Sequence, residues 1–254
     1  MKKFSKYLYL FVVFVFLYIP IFTLILYSFN KSTYSVAWKG WTWSWYTKLL
    51  ANDSLIETAI HSLILAATSS TLATIIGTLT AIAIFRYRFF GKKLLSGLIY
   101  IVMMSPDIVM AISLLVLFLL IKIELGFWTL LLSHITFCLP FVIITLQARL
   151  SQLNKHLIEA AEDLGANEYQ TLRYVLVPVL FPAIAAGWLL SFTLSMDDVI
   201  ISFFVTGPQF EILPLKIYSL VRLGVKPEVN ALCTIMFIFT FFVVMVSQFL
   251  IKEK

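Results

Sequence analysis

Charged side chains are scarce in this chain. Asp, Glu, Lys and Arg make up 13% of its 254 residues, against 61% hydrophobic. A soluble fold of this length needs more polar surface than that, so the composition excludes one, and most of the apolar surface must meet lipid or other spans. Cysteine is limited to Cys138 and Cys233, both inside apolar blocks and without CxxC or Cys/His spacing. That excludes a disulfide framework and a metal centre of the thiolate type. The pattern G-x-x-x-x-G-K-[S/T] does not occur, so the chain has no P-loop to cradle nucleotide phosphates. HExxH, G-x-S-x-G and membrane His/Asp clusters at metal spacing are missing as well. No residue is therefore assigned as catalytic or metal-binding, no cofactor is expected in this chain, and it is not expected to be an enzyme alone. Internal repeats, low-complexity tracts and a detachable soluble domain are also lacking.

What is present is a series of apolar blocks, with a mean hydropathy of +0.97. A basic start, Met1 to Lys6, precedes a run from about Tyr7 to Tyr27. That run is too long for a signal peptide and has no small-residue cleavage site, so it reads as a first span that stays, with a kink at Pro20. Further spans are predicted at about Thr58–Phe85, Leu94–Ile121, Phe127–Leu146, Val179–Val205 and Val229–Ile251. The second is rich in small and hydroxylated residues, as a helix packed tightly in a bundle should be. Trp38, Trp41, Trp43 and Trp45 crowd the first connection, which suggests a segment at the membrane–water boundary; a ligand-stacking surface is the alternative. The fold class is thus an all-α membrane protein of six transmembrane helices. Residues 1–56 hold the N-terminal helix and the Trp-rich outer loop, and residues 57–254 hold the remaining core.

The net charge of +6 could point to nucleic acid, but the basic residues sit at the ends of apolar blocks rather than on one face, so no nucleic-acid partner is expected. They report orientation instead. Of the 19 Lys and Arg, twelve fall on the side that holds both termini and seven on the other. The positive-inside rule puts both termini in the cytoplasm.

The same placement puts the longest polar connection, 147–178, in the cytoplasm. It carries Glu159-Ala160-Ala161-Glu162-Asp163-Leu164-Gly165 and runs to Val177-Pro178. Asn154 can cap a first short helix that ends at Gly165, the residue best suited to a left-handed turn. Asn167, with Gln170 three positions on, forms a capping-box pattern for a second helix. Val177 precedes a proline and is biased away from helix, which predicts a break there. Leu157, Ala161 and Leu164 share one face of the first helix. Local features alone fit either a docking surface or a solvated connector.

Spacing separates the two. Glu159-Ala160-Ala161, then Gly165, then Val175, Val177 and Pro178 resemble the cytoplasmic EAA loop of type I ABC-importer permeases, with Val at two positions where Ile and Leu are usual. Longer runs at 103–111, 133–140, 190–198 and 207–218 resemble the permeases of spermidine/putrescine importers in particular, and the likeness covers about Ile60 to Gln248. The resemblance implies an inner-membrane permease that imports polyamines by alternating access. Its implied partners are a pair of ATPase subunits that hydrolyse ATP, a second homologous permease and a periplasmic polyamine-binding protein, in the lipid bilayer. Glu159, Ala160, Ala161, Gly165 and Pro178 would be the elements that dock on the ATPase. Alternatives are a permease for another small solute and a secondary transporter that needs no ATPase; the EAA spacing argues against the second.

The candidate substrate pathway starts from cost. An aspartate near the centre of a span costs roughly 2.5–3.5 kcal/mol on insertion scales. Asp107 lies inside the third span, one residue after Pro106, whose missing N–H leaves the Val102 carbonyl without its helical partner. Asp197 and Asp198 lie near the far end of the fifth, pointing about 100° apart, so one is expected on the pathway and the other paired elsewhere. Carboxylates at two depths would serve as successive stations for a polycation, with Trp188 and Phe192 adding cation–π faces. A structural carboxylate at 107 and a plain helix-end charge at 197–198 are the bland alternatives. His134 has no partner identifiable in the sequence.

Overall fold

The computed structural model of the protein describes residues 2–33, 37–154, 156–223 and 227–252; Lys155, Lys226 and Lys254, which enter the charge count, lie outside them. Among the described residues the secondary structure is eleven helices and one isolated antiparallel bridge between Asn30 and Trp41. The helices are α1 (Lys2–Tyr27), α2 (Ser44–Leu50), α3 (Asp53–Arg86), α4 (Lys92–Met104), α5 (Asp107–Leu120), α6 (Phe127–Leu150), α7 (His156–Asp163), α8 (Glu168–Asp197), α9 (Ile200–Val205), α10 (Leu213–Leu223) and α11 (Pro227–Lys252). Five are long and apolar enough to cross a membrane, and the pair α4 and α5 makes a sixth if counted as one bent span. The chain folds as two compact units, Met1–Glu57 with Lys216–Val246 and Thr58–Leu215 with Ser247–Lys254.

In the first unit, α1 runs through Pro20 without ending, and most of its described apolar side chains are exposed. The Trp-rich connection is organised by Asn30, which is fully buried. Its amide donates to the Ala37 carbonyl at 2.7 Å, its side-chain oxygen accepts from Ser32 N–H at 3.2 Å and Lys39 N–H at 2.8 Å, and its backbone carbonyl accepts from Trp45 Nε1 at 2.6 Å. The four tryptophans therefore divide. Trp38, Trp41 and Trp43 are exposed, whereas Trp45 is buried and belongs to the loop's own core.

The second unit packs α6 against α8, α4 and α9, and α9 also against α5. Buried small residues along α3, among them Ala66, Ser69, Ser70, Ala73 and Ala81, let backbones approach closely. A Cβ at Gly77 would stand 2.7 Å from Cγ1 of Val142, a fully buried residue of α6. At about 1.5 Å per residue the 34-residue α3 is roughly 51 Å long, well beyond a hydrocarbon core of about 30 Å. Asp53 in its first turn and Arg86 in its last complement the helix dipole.

Four expectations need correction. The third span is not one helix: α4 and α5 meet at Ser105–Pro106 with a bend of 111°. Ser105 is extended (φ −67°, ψ 137°), as the residue before a proline prefers, and its N–H takes the Val102 carbonyl at 3.3 Å. No break occurs at Val177, which is helical (φ −59°, ψ −46°). The stretch Thr171–Leu176 is instead wound as a π-helix that leads into α8, with Val177 N–H bonded to the Leu172 carbonyl five residues back. The wider winding lets the chain carry Pro178 without stopping. The fifth span starts earlier than expected and ends at Asp197, with α9 following after a break at Asp198–Val199. Finally, the 206–228 connection contains the helix α10.

Candidate functional site

The 147–178 connection holds an ordered two-helix turn. Asn154 Oδ1 accepts from His156 N–H at 3.1 Å at the start of α7. Gly165, at φ +82°, ends that helix. Ala166 N–H reaches back to the Ala161 carbonyl at 3.0 Å and Gly165 N–H to the Glu162 carbonyl at 2.9 Å, the paired bonds of a Schellman motif. Asn167 and Gln170 form the reciprocal capping box, at 2.8 and 2.9 Å. Of the three residues expected to share one face, only Ala161 is buried; Leu157 and Leu164 are exposed, the latter at 88%. Ile158 packs inwards in their place. Glu159 and Ala160 are exposed, and Glu159 Oε2 accepts from His156 Nδ1 at 2.7 Å. The loop thus presents carboxylates, alanine and unburied leucines around one small turn, a surface suited to another protein. Pro178 lies in the first turn of the straight part of α8.

At the other candidate site, the structure separates the two adjacent aspartates. Asp197 is exposed at the end of α8. Asp198 is buried and accepts from Ile201 N–H at 3.2 Å, Ser202 N–H at 2.8 Å and the Ser202 hydroxyl at 2.7 Å, capping α9. The chain of bonds continues. Ser202 gives its one proton to Asp198, so His134 Nε2–H donates to Ser202 Oγ at 2.9 Å. A neutral imidazole then accepts at Nδ1, from the Ser195 hydroxyl at 2.7 Å, and Ser195 Oγ accepts from Ser69 Oγ at 3.1 Å. The five polar side chains, all buried, are satisfied in one direction, and they tie α3, α6, α8 and α9 together.

Asp107 opens α5, exposed, with Pro106 extended before it. A carboxylate in the first turn complements the helix dipole. The 111° bend places the interrupted backbone and this carboxylate at the same point of the chain. Trp188 and Phe192 stack on each other at 5.3 Å between ring centroids. Phe192 is buried, so only the half-exposed Trp188 is free to offer a second face, and its Nε1 donates to Thr71 Oγ1 at 3.0 Å. Among the described residues no three His, Cys, Asp or Glu side chains converge on one point.

Sequence reasoning missed the partners of His134. Ser195, Asp198 and Ser202, spaced three and four apart in an apolar block, are the signal that could have revealed them. It also missed Arg86. That side chain is largely buried, and its Nη2 lies 2.6 Å from Glu162 Oε1 of α7 and 3.8 Å from Glu168 Oε1 of α8.

A polytopic helical chain with two interrupted spans and one ordered aqueous loop is built as a transport component rather than as a membrane anchor. The chain belongs to the family of binding-protein-dependent transport system inner membrane components, whose model matches residues 73–254. It is 57% identical over 242 residues to the spermidine/putrescine transport system permease protein PotC of Escherichia coli (strain K12), covering 95% of this chain and 92% of that one. To the protein of the same name from Haemophilus influenzae it is 54% identical over 253 residues, covering 100% and 98%. A crystal structure of a bacterial ABC transporter involved in the import of the acidic polysaccharide alginate contains a chain of the same fold, with a TM-score of 0.76, 16% identity and coverage of 99% and 95%.

Proposed function

We propose that this chain is a polyamine-conducting permease, moving spermidine or putrescine into the cytoplasm by alternating access driven by a separate ATPase pair. The observation that carries the substrate is the 57% identity, over nearly the whole length, to a spermidine/putrescine permease. Both termini and the α7 turn face the cytoplasm, where Glu159, Ala160, Ala161 and Gly165 meet the ATPase. Pro178 sits within α8, just past its π-wound stretch. ATP is bound and hydrolysed by that partner. A second homologous permease completes the pathway, and a periplasmic binding protein delivers substrate to the outer side, which includes the 206–228 connection. Residues 57–254 act as the permease core.

The chemistry of the cargo fits the exposed carboxylates. Each ammonium group must exchange water for an anion or a carbonyl on entering a low-dielectric passage. Asp107, at the interrupted span, and Asp197, exposed beside the second interruption, would serve as stations, with Trp188 as a cation–π face. Asp198 supports the site from behind, since its oxygens are already engaged.

The test is uptake of labelled spermidine and putrescine by the complete complex in vesicles, with and without ATP on the cytoplasmic side. ATP-dependent accumulation and co-purification of a P-loop subunit are expected. Uptake that ignores ATP would remove the ATPase-driven mechanism. Uptake of some other small solute in place of either polyamine would replace the substrate.

A further inference from the structure

We infer that Arg86 is a positioning residue for energy coupling: it clamps both limbs of the α7–α8 turn to the end of α3, so that loop and helix move as one body. The inference deepens the coupling reading above and rests on it. Arg86 is the last residue of the 34-residue α3, and its side chain is 15% exposed although it lies outside the apolar part of the span. Its guanidinium stands between two carboxylates from opposite sides of the Gly165 turn: Glu162 at 2.6 Å, near the end of α7, and Glu168 at 3.8 Å, the first residue of α8. Tyr87 adds a third tie, its hydroxyl donating to Glu168 Oε1 at 3.2 Å. Arg86, Tyr87 and Glu168 border a cleft of about 390 Å³ whose apolar wall includes Ile82, Leu172 and Leu176.

Both contacts run from Nη2, a single nitrogen held between the two carboxylates, so the pair of acceptors and not the charge alone defines the clamp. The chemistry therefore distinguishes two roles for the same charge. If Arg86 only complemented the dipole at the end of α3, any cation would do. If it clamps the turn, the two carboxylates are required as well. At its other end the linkage is continuous with the transport spans. Further along α3, Thr71 accepts from Trp188 of α8 at 3.0 Å and Ser69 donates to Ser195 at 3.1 Å. A displacement of the turn is then delivered to α3 directly, not only through the π-wound stretch into α8.

The experiment measures spermidine accumulated per ATP hydrolysed by the full importer in vesicles, after gel filtration has established that the complex assembles. Arg86→Gln is expected to lower that ratio about tenfold, within the usual range for coupling between sites, while ATP hydrolysis by the partner subunits stays within about twofold. Pairing Arg86→Glu with Glu162→Arg should recover part of the lost coupling. Should Arg86→Gln fail to assemble, the double change Glu162→Gln with Glu168→Gln carries the test, because it leaves the charge at the end of α3 in place. A transport-to-ATP ratio unchanged in Arg86→Gln or in the double variant would overturn the clamp. A parent complex that shows no ATP-driven uptake would sink the functional reading itself, and the two failures are thereby told apart.

Discussion

Replacing Asp198 with alanine should destabilise the protein, whereas the same change at Asp197 should leave its stability intact. The Asp198 carboxylate is buried and accepts three hydrogen bonds, from two backbone N–H groups and one hydroxyl, at 2.7 to 3.2 Å. Alanine would strand those donors, and each orphaned group in a buried site costs about 1–3 kcal/mol. The three share one acceptor, so the costs do not add, and removing a buried charge returns some desolvation energy. A net loss of about 2–3 kcal/mol follows, or roughly 4–12 °C in melting temperature for a chain of this size. Asparagine keeps one oxygen. Turned towards Ser202 it serves two of the donors and sets an amide N–H against Ile201, for a loss of about 1–2 kcal/mol. Asp197 is exposed, and its replacement should stay within about 0.5 kcal/mol of the parent. The assay is heating of the purified complex in detergent, with the surviving monodisperse fraction read by gel filtration and polyamine uptake measured in parallel. Asp197→Ala should lose uptake at a normal melting temperature. An Asp198→Ala complex as heat-stable as the parent would refute the role given to these bonds, and an Asp197→Ala complex that melts early would refute the division of labour.

Gly207→Ala should also destabilise, because a Cβ there would lie 1.9 Å from the Leu125 carbonyl oxygen; with backbone on the opposing side no rotamer can yield, and the loss should reach about 3 kcal/mol or more, read as lower yield of folded complex. Gly165→Val meets no steric neighbour, so its penalty is that of a β-branched residue at φ +82°, about 1–2 kcal/mol confined to the turn; ATP hydrolysis without transport is the expected readout, and normal uptake per ATP would count against the turn's role in coupling. Asp107→Asn should depress polyamine uptake at least tenfold with assembly and heat stability unchanged, since the side chain is exposed; unaltered uptake kinetics would remove it from the pathway.

The local chemistry of the α7–α8 turn was legible in the sequence. Gly165 and the Asn167/Gln170 pair act within a few residues of themselves, and the structure shows the turn and the capping box that those residues encode. Proline was legible in one place and not in another. At Pro106 the preceding Ser105 turns extended and the chain bends sharply, beyond the opening expected within a single helix. At Pro178 the same local bias on Val177 is overridden, because winding by five residues per bond upstream accommodates the ring within a continuous helix. The spacing of Ser195, Asp198 and Ser202 marks a polar face but does not name His134, which lies 61 and 68 residues from the two serines and meets them only once α6, α8 and α9 have packed. Arg86 was hidden for a similar reason: in sequence it is one of several basic residues in a short loop, and its carboxylate partners lie 76 and 82 positions further on.

The contact at Val142 bears on how this sequence is free to diverge. A Cβ at Gly77 would meet Val142 Cγ1 at 2.7 Å, and one at Gly187 would meet the same methyl at 3.4 Å, so α3 and α8 both read the volume of a single side chain on α6. Three positions on three helices therefore share one allotment of space. Alanine at 77 is admissible only if residue 142 shrinks, and a larger residue at 142 presses on both glycines at once. Variation at 77 must therefore be accompanied by change at 142, which makes these two a covarying pair wherever this packing is retained, while alanine at 187 meets the same methyl at contact distance.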